Sequence, residues 1–434
     1  MNLPRVVVVG AGFAGYHAAK TLSRQARGRA EIVLVNPTDY FLYVPLLPEV
    51  ATGLLEPRRL TISLADTLPG IRLVLGEVNG LDLEKRQVQY GDPAGRRCEL
   101  EYDRLIVAVG SVNKLLPIPG IAEHAHGFRG IPEAIFLRDH LTQQIELADG
   151  THDQNQRDAL CTFVVVGAGY TGTEVAAHGV LYTDLLRQRR PRLRDQRIRW
   201  MLLDVADRVL PELDDRLSRT ADKVLRGRGV EVKMGLSVDE ATSEGAKLTD
   251  KSFVPTRSLI WCVGVRPDPL VDGLGLETEK GRLVVDEYLN VPGYPEVFAC
   301  GDAAAVPDLT RAGGVTPMTA QHAERQGKQA ARNVAASFGH GQRKPYIHHD
   351  LGFVVDLGGT QAAANPLHVP LAGLPAKAVA RGYHLLSMPG NRIRTATDWL
   401  LDTALTRQTT QLGVVPAADV PLETASPERP HLHR

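Results

Sequence analysis

Two stretches of this chain repeat one design that few folds accommodate. The first reads Arg5-Val-Val-Val-Val-Gly10-Ala-Gly12-Phe-Ala-Gly15, followed by a helix-compatible run at 16–22 and a second apolar strand at 31–35. The second reads Cys161-Thr-Phe-Val-Val-Val-Gly167-Ala-Gly169-Tyr-Thr-Gly172, followed by a helical stretch to about residue 186 and a strand at 198–203. Each is a short apolar strand, G-x-G-x-x-G, a helix and a strand. Gly10 and Gly167 permit a tight turn, Gly12 and Gly169 let the backbone approach a pyrophosphate, and Gly15 and Gly172 let the helix pack closely on the strand. The helix amino terminus then offers free N–H groups and the positive end of its dipole to the phosphates. One such turn is weak evidence, because glycine also occurs wherever a strand meets a helix. Two copies in the same context predict an α/β protein with two Rossmann-like dinucleotide-binding domains.

A polar residue ending each second strand is expected to meet a ribose hydroxyl pair. In the second unit it is Asp204, whose carboxylate suits the free 2′-hydroxyl of NAD and repels the 2′-phosphate of NADP. Arg208, four residues on, opposes that preference. In the first unit the position is Asn36, an acceptor without the charge.

The 434 residues predict two or three domains. A buried strand ending at Gly110, then Pro117 and Pro119, reads as the exit from the first; a strand ending at Gly264 leaves the second. The order that follows is a first domain at 1–125, a second at 126–288 inserted within it, and a return to the first at 289–340. A carboxyl-terminal α+β region at 341–413 comes next, and a disordered tail, rich in Pro, Glu and His, at 414–434. Within the return, a strand ends in Gly301-Asp302. Thr316 is expected to cap a helix that starts at Pro317 and runs to about Ser337.

Composition excludes several classes. Lys plus Arg and Asp plus Glu each number 50, so no global field favours nucleic acid. The run 187–194, with five arginines, reads as a solvated loop. Cys98, Cys161, Cys262 and Cys300 are widely spaced, which indicates neither a disulfide framework nor a zinc site and fits a cytoplasmic compartment. No metal is expected despite 14 histidines, since the adjacent His348 and His349 point to opposite faces of a strand. The amino terminus has no signal pattern, and no apolar run is long enough to span a bilayer.

The order of first fingerprint, strand end at Ala108-Val109-Gly110, second fingerprint, strand end at Cys262-Val263-Gly264 and Gly301-Asp302 resembles the flavoprotein reductases with two dinucleotide-binding domains. Asp39-Tyr-Phe-Leu-Tyr-Val-Pro45-Leu-Leu-Pro-Glu-Val-Ala-Thr-Gly53, Thr319-Ala-Gln321-His-Ala-Glu-Arg-Gln326-Gly-Lys and Ala380-Arg-Gly-Tyr-His384, with Asp398-Trp399, are similar to type II NADH dehydrogenase, the single-subunit NADH:quinone oxidoreductase. The resemblance implies FAD on Gly10, Gly12, Gly15, Asn36, Pro45 and Gly110, with Asp302 on the ribityl chain, and NADH on Gly167, Gly169, Gly172, Asp204 and Gly264. It also implies hydride transfer from NADH to FAD, then electrons to menaquinone or ubiquinone, without proton pumping. Glu174, placed on the first turn of the second helix, is implied to couple the two halves, and Gln321 to contact the quinone. Arg325 stands where the family's A-Q-x-A-x-Q run has its second glutamine.

Two alternatives stand beside this reading. One is an FAD- and NADH-binding flavoprotein that reduces another acceptor or acts as a redox sensor. The other concerns 371–412, where Lys377, Arg381, Arg392, Arg394 and Arg407 face two acids and Trp399, Leu400, Leu401 and Leu405 share a helical stretch. That region reads either as a peripheral contact with the cytoplasmic face of the cell membrane or as a homodimer interface.

Overall fold

In the computed structural model, residues 3–26, 28–311, 313–348 and 351–422 are described. The chain divides into two compact units. The first comprises residues 1–42, 61–112 and 265–349, and the second 43–60, 113–264 and 350–434. The second unit's central sheet is therefore inserted between strands of the first. The chain changes units at 112/113 and 264/265, and the carboxyl-terminal segment belongs to the second unit from 350.

The first unit is built on a six-stranded sheet in the order Asn290–Val291, Tyr294–Ala299, Arg104–Val107, Arg5–Val9, Glu31–Asn36, Arg72–Leu75. All pairs are parallel except the short hairpin at its edge. Val6 to Val9 are at most 2% exposed, the continuous apolar run of a strand covered on both faces. The Phe13–Ala26 helix packs against the Ala320–Ser337 helix, where a side chain on Gly327 would collide with the Ala14 carbonyl.

The second unit repeats the plan with five parallel strands in the order Ala125–Gly127, Ser258–Trp261, Thr162–Val166, Arg199–Asp204, Glu231–Met234. The Tyr170–Gln188 helix lies on this sheet, and its Gly179 leaves room for the Trp200 ring, whose Nε1 donates to Thr183 Oγ1 at 2.9 Å. The carboxyl-terminal part is α+β, as expected. Three short antiparallel strands at Val354–Asp356, Ala362–Ala364 and Leu371–Ala372 precede helices at Gly373–Ser387 and Arg392–Ala404.

Three expectations need correction. Thr316 does not cap the long helix, which begins at Ala320 with Thr319 as its cap. Thr319 Oγ1 accepts from His322 N, while the Thr316 hydroxyl is taken by Gln326. The tail expected to be disordered from 414 is packed as far as 422, with Leu422 in the core of the second unit; 423–434 lie outside the described residues. The basic run is not simply solvated, since Arg187 pairs with Asp184, Arg190 with Glu146, and Arg189 bonds to Thr409 and the Arg407 carbonyl.

Candidate functional site

Each unit carries a glycine turn, and the two are built alike. Gly10 N donates to Val35 O and Gly167 N to Leu203 O, which fixes each turn over the next strand. Gly10 and Gly167 have φ of +92° and +104°, and a Cβ on either would strike a carbonyl of the neighbouring strand end, Ala108 or Cys262. A Cβ on Gly15 or Gly172 would strike the carbonyl of Gly10 or Gly167. At Gly12 and Gly169 a Cβ would meet nothing within 4 Å. The protein itself does not require glycine there; an approaching ligand does. This open position beside a helix amino terminus fits the pyrophosphate of a dinucleotide in both units. Gly110 and Gly264, at the strand ends beside the two turns, have φ of +77° and +98°.

The residues ending the second strands brace these turns. Asn36 Oδ1 accepts from Ala11 N at 2.8 Å, and its Nδ2 donates to the carbonyl and hydroxyl of Thr38 at 2.9 and 3.0 Å. Asp204 Oδ2 accepts from Ala168 N at 2.5 Å and Oδ1 from Ala206 N at 2.8 Å. Arg208 is committed elsewhere, to the Asp215 carboxylate and to the carbonyls of Pro211 and Leu213.

In the first unit the Gly301–Ala303 turn carries Asp302, whose Oδ2 accepts from Ser111 Oγ at 2.5 Å. Gln326, 1% exposed, fixes that turn by accepting from Gly301 N at 2.8 Å while its Nε2 donates to Thr316 Oγ1 at 2.9 Å. Neither Ser111 nor Gln326 stood out in the sequence as a support. Gln321 lies on the first turn of the same helix. Arg325 turns to the chain beyond the helix, with Nη1 3.3 Å from His348 Nδ1. The His348 ring stacks on His322 at 3.8 Å, and His322 Nδ1 is 2.9 Å from the Tyr346 hydroxyl. Burial, with His348 and Arg325 beside it, lowers His322 to about 4, so this imidazole is neutral near pH 7. Glu324, on the same helix, pairs with Lys328 at 2.5 Å. His349 lies outside the described residues.

The second unit holds Pro45, in a turn at Val44–Leu46, and Glu174. Glu174 is on the second turn of its helix, not the first, because the helix starts at Tyr170; stabilisation by the helix dipole does not account for it. Its Oε1 accepts from Asp356 N at 2.9 Å. Burial holds its carboxyl well above the usual range, with Asp356 and Glu49 adding to the shift. Asp356 receives Lys377 Nζ on both oxygens at 2.6 and 2.5 Å, and His178 Nε2 lies 3.3 Å from its Oδ1. Burial opposes ionisation of Asp356, but His178 and Lys377 outweigh it and hold the group ionised. These pairs join positions far apart in sequence, and no local pattern announced them.

All four cysteines are free. Burial pushes the thiols of Cys161, Cys262 and Cys300 up to about 12, the state of structural rather than nucleophilic sulfur.

Comparison with known proteins agrees with this geometry. Residues 4–327 match the family described as pyridine nucleotide-disulphide oxidoreductase. Two type II NADH:quinone oxidoreductases of Mycobacterium tuberculosis, Ndh and NdhA, are 30% and 32% identical. The alignments cover 93% and 90% of this chain, and 89% and 85% of theirs. The structure of NDH2 from Plasmodium falciparum in complex with NADH shares the fold, with a TM-score of 0.86 and 18% identity over 94% of this chain and all of that one.

Proposed function

Since the chain belongs to the pyridine nucleotide-disulphide oxidoreductase family, and within it to the type II NADH:quinone oxidoreductases, we propose that its two glycine cradles serve one reaction. The protein is an FAD-dependent oxidoreductase that takes a hydride from NADH and delivers electrons to a quinone without pumping protons. The observation that carries this assignment is the pair of cradles, each closed by steric need at its outer glycines and open at Gly12 or Gly169.

Bound FAD accepts a hydride and returns electrons singly or in pairs, which links NADH to a quinone. The chain's part is to hold the partners. Gly10, Gly12, Gly15, Asn36 and Gly110, with Asp302, are assigned to FAD. Gly167, Gly169, Gly172, Asp204 and Gly264 are assigned to NADH. The Asp204 carboxylate favours NADH over NADPH, and Arg208, spent on the 211–215 turn, does not offset it. Glu174, whose carboxyl is held well above the usual range by burial, is assigned to couple hydride transfer to the quinone side. Gln321 and Arg325 are assigned to the quinone, the fixed charge of the Arg325 guanidinium serving to stabilise an anionic quinol.

The Arg392–Ala404 helix supports a peripheral seat on the cytoplasmic face of the membrane. Ile393, Leu400 and Leu401, at i, i+7 and i+8, are 83%, 67% and 46% exposed, whereas Trp399 and Thr395 face inward. Among the described residues, no helix is long and apolar enough to cross a membrane. Sedimentation with anionic vesicles, lost in Ile393→Glu/Leu400→Glu, supports this seat; self-association without vesicles, lost in the same variant, would assign the face to a second copy instead.

The direct test of function is to denature purified protein and identify the released cofactor. FAD, with bleaching of the native protein by NADH and recovery of colour on adding a short-chain quinone, is expected. FMN, or no flavin from folded protein, overturns the reading.

A further inference from the structure

The Leu47–Ala51 helix is apolar except for one residue. Glu49 sits among Leu46, Leu47, Val50 and Ala51 and is 2% exposed, an expensive place for a carboxyl group unless it has a use. Its two oxygens are not equivalent. Oε2 accepts from Trp399 Nε1 at 2.6 Å, whereas Oε1 is buried with no hydrogen-bond partner among the described residues. An ionised carboxylate seeks donors on both oxygens. With one donor, on Oε2, the ionised form is short of the second donor it seeks, and leaving a buried charge so poorly served costs more than leaving one neutral O–H unmatched; the arrangement therefore favours a proton on Oε1.

Helices 131–150 and 170–188 pack on this helix, and the charges of Asp356, Lys377 and Arg381 act on Glu49 as well. Strand Val354–Asp356 contributes Asp356, and helix Gly373–Ser387 contributes Lys377 and Arg381. Arg381 lies over the Trp399 ring at 5.0 Å. Helix Tyr170–Gln188 brings Glu174 and His178, and helix Ile131–Gly150 brings Arg138 and Asp139, which lie 3.6 Å apart. Lys377 is spent on Asp356. Burial pushes Glu49 up to about 7, with Asp356 adding to the rise and Lys377, the Trp399 bond and Arg381 opposing it. The group thus changes protonation at the pH where such an enzyme works.

We propose that Glu49 is the proton-holding carboxylic acid of this buried cluster: with Oε2 fixed by the Trp399 indole, Oε1 carries the proton that quinone reduction consumes. The inference rests on the quinone reading above. Overall, NADH, one proton and a quinone give NAD⁺ and a quinol. Both electrons come from NADH, one of the two quinol protons is matched by its hydride, and the other is drawn from solution. Glu49 gives up its Oε1 proton in the quinone half of the cycle, becomes a carboxylate, and recovers the proton from solvent before the next turnover.

Two measurements test this. In the wild-type holoenzyme, quinone-dependent kcat should fall as pH rises through about 7, because the proton-bearing form is lost. In Glu49→Gln, which keeps an acceptor for Trp399, kcat should drop at least about tenfold at pH 6 and the inflection should vanish. Infrared difference spectra of the same proteins, without substrate, should show a protonated-carboxyl C=O band that titrates near 7 in the wild type and is missing from Glu49→Gln. Trp399→Phe, which removes a bond favouring the carboxylate, should move both titrations to higher pH, and it serves if Glu49→Gln does not fold. An unchanged inflection and band in Glu49→Gln, or an unmoved titration in Trp399→Phe, overturns the inference while leaving the quinone reading intact. A wild-type holoenzyme that NADH reduces but no quinone reoxidises overturns both.

Discussion

The two glycine cradles share their steric plan and differ in the residue that ends the second strand, Asn36 against Asp204. The partners of each explain the choice before any ligand is considered. Asn36 faces one N–H, from Ala11, and one carbonyl, from Thr38, so it needs an acceptor and a donor. Asp204 faces two N–H groups, from Ala168 and Ala206, and needs two acceptors. The loop after the second strand, by presenting a carbonyl in one unit and an amide in the other, selects an amide side chain or a carboxylate. The charge available to a ribose then follows from the path of that loop.

Breaking the cradles should separate their glycines into two kinds. Gly172→Ala forces its Cβ into the Gly167 carbonyl and should cost about 3 kcal/mol or more of stability, seen as a lower melting temperature. Gly169→Val adds a Cβ with no protein atom within 4 Å and should leave melting within about 0.5 kcal/mol of wild type, while NADH binding weakens at least about tenfold and flavin content stays full. Gly12→Val should do the reverse, losing flavin from folded protein. If Gly169→Val melted as early as Gly172→Ala, the open position would be structural.

Exchanging the braces sharpens the comparison. Asp204→Asn sets an amide N–H against Ala206 N or Ala168 N and should cost about 1–3 kcal/mol as well as eroding the preference for NADH over NADPH. Asn36→Asp sets a carboxylate oxygen against the Thr38 carbonyl and should cost a similar amount without improving flavin retention. Arg208→Ala should be nearly silent, changing stability by about 1 kcal/mol or less and nucleotide preference little, because that guanidinium is already spent on its own turn.

The cradles are legible in sequence because their requirements are local: strand, turn, helix and strand run from Arg5 to Asn36 and from Thr162 to Asp204, and sterics fixes which residues are glycine. The helix start at 320 is not legible in the sequence because Thr316 and Thr319 both satisfy the rule for a cap, and only the distant partner Gln326 decides between them. The packed stretch to Leu422 was obscured by a composition that reads as a tail. The ion pair of Asp356 with Lys377 and the bond of Glu49 to Trp399, 350 residues apart, are products of tertiary folding. One signal for Glu49 was present, a single carboxylate inside an apolar run, and burial of an acid without a matching base is what makes such a residue worth pursuing.

Stopped-flow mixing of Gln321→Ala first with NADH and then with a short-chain menaquinone or ubiquinone analogue tests the central claim most directly. NADH is assigned to the second cradle and the quinone to the first turn of the 320–337 helix. Reduction of the flavin by NADH should therefore keep the wild-type rate within about twofold, while reoxidation by quinone slows about tenfold or more. Equal slowing of both steps would contradict the separation of donor and acceptor sites, and a wild-type protein reduced by NADH but never reoxidised by quinone would contradict the function itself.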